Sequence, residues 1–280
     1  RNGRVCRGLR PRSLANLQVR RASAGGDLGG TAIGTGLGAP RQYIFRVVEH
    51  LRQITGLGLA RAENLVEATQ NADTFVEVSG ILRTLASNLL KVSNDLRLLS
   101  SGPHAGLGEI HLPPRQAGSS IMPGKVNPVI PEAIAQAAIA VMGHDQMILQ
   151  AVSAGNLELS QFLPLVADSL LTSLDLLSNA CDLFTLHCIT CIEGGEQQCR
   201  QHLSTSTAIL TALVERIGYD AAERVATELA ADPSGSLTVR ELVLQHGLLT
   251  AEEFDAAISA EQVMMLGSRM ATKEEGSRLQ

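Results

Sequence analysis

Residues 118–128 carry the side chains best placed to do chemistry: Gly118, Ser119, Ser120, Ile121, Met122, Pro123, Gly124, Lys125, Val126, Asn127 and Pro128. Two hydroxyls sit beside a glycine, and a second glycine six residues on can act as a hinge. Lys125 and Asn127 follow two residues apart, and Pro128 and Pro131 lead into a helical pattern with Glu132 in its first turn. A lysine charge and a helix N-terminus both favour an anion, and Asn127 adds a neutral donor. Only three of the 23 basic residues are Lys (Lys91, Lys125, Lys273), so a lysine here is not background. A plain Ser/Gly linker before a helix is the competing reading, and composition alone leaves both standing.

Cysteine and histidine offer a second candidate chemistry. Cys188 and Cys191 form a C-x-x-C, with Cys181, Cys199, His187 and His202 nearby. A zinc ribbon needs two such knuckles on turns, and here one lies in a helical stripe. Cys181, Cys188 and Cys191 share the three/four register of the neighbouring Leu and Phe, so core packing is expected and a metal is not. The glycines at 29, 30, 34, 36 and 38 lack the preceding strand and the lysine of a phosphate loop. Close backbone approach or a helix break is expected there, and no cofactor site is read from the sequence.

The elements that must position these groups are long helices. Phe75, Val78, Leu82, Leu85, Leu89, Val92, Leu96 and Leu99 repeat every three or four residues, the spacing of one apolar helix seam. A second stripe runs through Leu163, Val166, Leu170, Leu174, Leu177, Cys181, Phe184, Cys188 and Cys191. A third helix spans about 131–150, with Ile134, Ala138, Val141 and Ile148 on one side. No alternating β-branched run suggests a sheet. The reading is all-α: an elongated long-helix bundle over 28–192 and a small C-terminal helical domain over 193–280. In the latter, Thr250 and Glu253 stand in capping-box spacing. The Gly- and Pro-rich stretch 100–128 is an irregular segment of the length that tends to be functional.

Bulk properties narrow the class. The chain has 280 residues, 45% of them hydrophobic, too apolar for disorder. No apolar run reaches the 18 or so residues of a membrane span. Seven Arg and no acid fall in residues 1–21, leaving 16 basic against 28 acidic residues beyond. A body that acidic is a poor nucleic-acid binder. Five irregularly spaced Cys fit a reducing, cytoplasmic setting. The Arg-rich leader 1–27 has three readings: a transit peptide, a basic tail for an acidic partner, or residues that are not native structure. The last is preferred.

Residues 118–128 resemble the signature loop of the aspartase/fumarase superfamily at every signature position. Residues 28–37, 94–103 and 108–113 resemble the glycine-rich segment and the runs that lead into that loop, so the resemblance covers 28–280. Residues 98–103, 127–132 and 239–250 look more like aspartate ammonia-lyases, whereas 217–220 and Phe254 are shared with or closer to fumarases.

The resemblance implies an anti elimination, with no cofactor, of ammonia from the dicarboxylate L-aspartate. A fumarase or related lyase is the alternative, and a helical scaffold without catalysis is a third. It implies Ser119 as general base, Ser120, Lys125, Val126 and Asn127 at the substrate, and Gly118 and Gly124 as hinges. Glu132 matches a carboxylate that orients a histidine of another subunit. It also implies a homotetramer with shared active sites, five long helices per subunit and twenty in the assembly. His104 stands where many aspartases have Arg, and Ser160 where Asn is usual. The chain is expected to be the C-terminal part of such a lyase, without the N-terminal domain and early bundle helix, and therefore to expose apolar surface.

Overall fold

A computed structural model describes residues 25–102, 105–116, 118, 122, 124–232 and 237–265. The chain divides into two compact units between Gly194 and Gly195.

In the first unit, α1 (Arg41–Thr55) and α2 (Leu65–Gln70) precede the long helix α3 (Asp73–Leu99). Two further long helices follow, α4 (Val129–Ser153) and α5 (Leu163–His187). A single 3-10 turn, Ile189–Cys191, closes α5. The expected all-α class holds. The strands among the described residues are two-residue pieces, β1 (Gly25–Gly26) parallel to β2 (Ala60–Arg61) and β3 (Ile110–His111) antiparallel to β4 (Glu193–Gly194).

Helices α3, α4 and α5 share one core. Leu82, Ala86 and Leu89 of α3 meet Ile134, Ala138 and Val141 of α4, and Leu177, Ala180, Cys181 and Phe184 of α5. At about 1.5 Å per residue, the 27 residues of α3 run roughly 40 Å. On α3 the packed seam keeps Val78, Leu82 and Leu89 of the expected one, with Leu85, Val92 and Leu96 against the same core, and adds small residues to it. Ser79, Leu82, Ala86, Leu89 and Ser93 are buried, while Phe75 is exposed. On α5 the buried set is Val166, Ser169, Ser173, Leu177, Ala180, Cys181 and Phe184, and Leu163 and Leu174 face outward. Small residues let three helix backbones approach, and the larger ones fill what remains.

One polar layer crosses this core. Asp145 of α4 accepts from Ser79 Oγ at 2.7 Å and from Arg83 Nη1 at 2.7 Å, both on α3. His144 Nδ1 lies 3.0 Å from Ser173 Oγ on α5. The glycine-rich segment shows the expected close approach: a Cβ on Gly34 (φ +81°) would sit 2.3 Å from the Val66 Cα at the start of α2.

The second unit stacks short helices, α6 (Glu196–Thr205), α7 (Ala208–Ile217), α8 (Tyr219–Ala230), α9 (Val239–Gln245), α10 (Ala251–Ala257) and α11 (Ala260–Val263). Its core gathers Leu210, Leu213, Val225, Val239, Val243 and Phe254. Both α9 and α10 start in full capping boxes, Thr238 with Glu241 and Thr250 with Glu253.

Candidate active site

The chain leaves α3 at Ser100, runs through β3 and enters α4 at Val129. The candidate site is built on this crossing. Its entry leg is tied to the far end of α5. Ile110 and His111 pair with Gly194 and Glu193, and Arg115 Nε donates to the His187 carbonyl at 3.0 Å.

The two ends of the loop meet. A Cβ on Gly118 would lie 3.0 Å from the Lys125 carbonyl oxygen, so a glycine is what lets the backbones approach. Gly124 has φ +79°, a left-handed conformation that side chains resist. The Lys125 N–H donates to the Met122 carbonyl at 3.2 Å and closes the turn. Lys125, Val126 and Asn127 are all exposed, one residue after another, immediately before α4. Ser119 and Ser120 lie outside the described residues.

Glu132 sits in the first turn of α4, where the helix dipole favours a carboxylate. The N-cap residue, Pro128, offers no side-chain acceptor, and Pro131 has no N–H. Glu132 Oε1 lies 4.0 Å from Arg97 Nη2, in the last turn of α3. Both side chains are about two-fifths exposed, so this pair contributes little to stability, about 0–1 kcal/mol.

The structure thus brings Gly118, Gly124, Lys125, Val126, Asn127 and Glu132 to one junction between α3 and α4. Chemically the junction offers an exposed ammonium, an amide and a carboxylate beside a loop that carries two glycines. Arg97 escaped the sequence reading, although Asn94-Asp95-Leu96-Arg97 heads one of the matched runs. Its pairing needs α3 to end opposite the start of α4, which no local spacing reveals. Arg115 escaped because its partner, the His187 carbonyl, lies 72 residues away at the end of α5.

The cysteine expectation needs a correction. Cys181 and Cys188 are buried as expected, but Cys191 is exposed, because α5 ends at His187 and the helical register is lost in the 3-10 turn.

Profiles of two protein families match the chain: lyase over residues 12–143 and fumarase C C-terminus over residues 209–265. An aspartate ammonia-lyase of Bacillus subtilis (strain 168) is 47% identical over 233 residues, 83% of this chain and 48% of that enzyme. A class II fumarate hydratase of Thermosynechococcus vestitus is 43% identical over 242 residues, 86% of this chain and 51% of that enzyme. The crystal structure of a fumarate lyase:delta crystallin from Brucella melitensis, bound to cobalt, superposes with a TM-score of 0.79 at 41% identity. It covers 87% of this chain and 53% of that one. The chain spans about half the length of the relatives it matches.

Proposed function

The chain belongs to the aspartase/fumarase superfamily, and from that premise we propose that the whole protein eliminates ammonia from L-aspartate to give fumarate. The observation that carries this reading is the 47% identity to an aspartate ammonia-lyase across 83% of the chain. Fumarate hydration is the second reading, favoured by the 43% identity to a class II fumarate hydratase.

In the proposed mechanism Ser119 removes a proton from Cβ, next to the β-carboxylate. The electron pair moves into that carboxylate and gives an aci-carboxylate dianion. It then returns to form the Cα–Cβ double bond as ammonia leaves Cα. A Ser hydroxyl is a very weak acid, so its alkoxide needs strong local stabilisation. Loop N–H groups and the Lys125 ammonium supply it, and the same donors hold the dianion. Because the extra charge exists only near the transition state, these donors lower the barrier more than they tighten substrate binding. Lys125 and Asn127 are the carboxylate ligands, with Ser120 and Val126 beside the substrate. Gly118 and Gly124 let the loop open and close over the site.

Glu132 orients a histidine supplied by another subunit, and Arg97 stands beside that carboxylate. The working form is a cytoplasmic homotetramer with shared active sites. Among the described residues no helix is long and apolar enough to cross a membrane.

One assay tests the reading, because aspartate deamination and malate dehydration both yield fumarate, whose conjugated double bond absorbs in the ultraviolet. Full-length protein should form fumarate from L-aspartate and little from L-malate, since a site that hydrogen-bonds an amino group leaves polar groups mispaired against the hydroxyl analogue. The reverse preference moves the assignment to fumarate hydration. Ser119→Ala should abolish turnover with substrate binding nearly intact. Lys125→Ala should weaken both, by about 1.5–3 kcal/mol in binding, as a charge-assisted contact is lost. More than a tenth of wild-type kcat in Ser119→Ala would require a different base.

A further inference from the structure

Cys188 and Cys191 flank the 3-10 turn that ends α5, and they differ in burial. Cys188 is 1% exposed and packs in the bundle core with Phe184 and Ile189. Burial pushes its thiol up to about 11, with Cys191 adding to the rise and Arg115 opposing it. Cys191 is exposed. Its N–H donates to the Cys188 carbonyl at 3.1 Å. A turn closed in that way keeps the two Cα atoms within about 7 Å, inside or near the range a disulfide spans.

Arg115 joins this pair to the candidate site. Its Nη2 lies 3.7 Å from Cys191 Sγ, while its Nε holds the His187 carbonyl at 3.0 Å. Arg115 stands three residues before Gly118, on the entry leg of the loop. The β3–β4 pairing secures the same leg a few residues earlier. Moving Cys191 therefore removes one of the two contacts that hold Arg115 at the end of α5.

We propose that Cys188 and Cys191 form an oxidisable pair whose disulfide takes the Cys191 contact away from Arg115 and loosens the loop entry that Arg115 anchors. The oxidant is a small-molecule disulfide. Cys191 gives its proton to water, and its thiolate attacks one sulfur of the oxidant, forming a mixed disulfide and expelling one thiolate. Cys188 then loses its proton, attacks the Cys191 sulfur and expels the second thiolate. The two protons end on the two expelled thiols, so two protein thiols are oxidised and one small disulfide is reduced. Because Cys188 is the buried partner, bonding draws the Cys191 side chain inward, away from Arg115. The second step is slow for the same reason, and the mixed disulfide accumulates first. A metal-binding role for the pair lacks support, as no third His, Cys, Asp or Glu joins them among the described residues.

The thiol chemistry stands by itself, while its effect on turnover rests on the lyase reading of the loop. The test uses full-length protein carrying Cys6→Ser and Cys199→Ser, with glutathione disulfide as the probe. Peptide mass mapping should find glutathione on Cys191 first and then loss of two hydrogens across residues 188–191. Amide exchange over residues 112–127 should rise about five- to tenfold, the equivalent of losing one hydrogen bond of ordinary net strength. Dithiothreitol should reverse both. Cys188→Ser should stop at the mixed disulfide, and Cys191→Ser should show neither product.

Arg115→Gln should raise exchange in the reduced state and leave oxidation without further effect. An oxidised pair with unchanged exchange over 112–127 overturns the coupling. Failure of Cys191 to react in folded protein, when it reacts after denaturation, overturns the site. If exchange responds as expected but no aspartate or malate is turned over in either redox state, the coupling stands and the proposed function falls.

Discussion

Asp145 is 3% exposed in the middle of the bundle, held by the neutral Ser79 hydroxyl and the half-exposed Arg83 guanidinium. The two ends of that ion pair are not equivalent. Removing Arg83 strands a carboxylate in the core with one neutral donor, whereas removing the charge of Asp145 leaves a guanidinium that water can reach. Arg83→Met should therefore destabilise by about 3 kcal/mol and Asp145→Asn by about 1 kcal/mol, read as shifts in denaturant midpoint at constant m. Equal losses would mean that Arg83 does not serve the buried charge. Individual site residues were legible to different degrees. Lys125 and Asn127 announce themselves by type and spacing next to glycines. The exposed state of Cys191 could not be read, because a stripe drawn at helical spacing carries no mark of where the helix stops.

At the scale of elements, all three long helices are where the periodicity places them, for a physical reason. Each has a run of apolar residues long enough to fix its period, and Gly- or Pro-rich segments interrupt the chain between α3 and α4. Rotation about the helix axis was less legible. Hydrophobicity ranks Phe75 and Leu163 above Ser79 and Ser169, yet close helix packing buries the two serines and leaves Phe75 and Leu163 exposed.

Capping is the clearest local signal. The box at Thr250 was visible in the spacing, and Thr238 with Glu241 has the same spacing and the same bonds. Thr238→Ala should cost about 1 kcal/mol of stability. At the second box, the Thr250 backbone N–H and hydroxyl hold the Glu253 carboxyl below its ordinary range. A carboxylate depressed in the folded state adds stability above the ordinary carboxylate range, and that stability is lost as pH falls through the depressed value. The stability gap between wild type and Thr250→Ala should accordingly shrink as pH falls below about 4, the ordinary carboxylate range. A pH-independent gap would assign the cap wholly to the hydroxyl–backbone bond.

At the scale of the whole molecule, the decisive feature is what the bundle leaves uncovered. Leu163, Ala167, Leu171 and Leu174 follow one another at spacings of four, four and three on α5, away from the buried face through Val166, Ser173 and Leu177. All four are exposed, Leu171 to 62%. On α4, Ile139 and Met147, two turns apart, are exposed as well. A monomer in water has no use for second apolar bands on helices that already share a core, and such a band is what an interface between helices requires. The chain also spans about half the length of the relatives it matches.

Sedimentation of full-length protein at micromolar concentration should show a tetramer, and this chain alone should self-associate in a concentration-dependent way. Leu171→Glu with Leu174→Glu places two charges in the band. It should weaken assembly by about a hundredfold, at roughly 1.4 kcal/mol per residue, while helicity by circular dichroism is unchanged. A sharp monomer peak for the unsubstituted protein, without binding of a hydrophobic dye, would remove both the assembly and the shared active sites that depend on it.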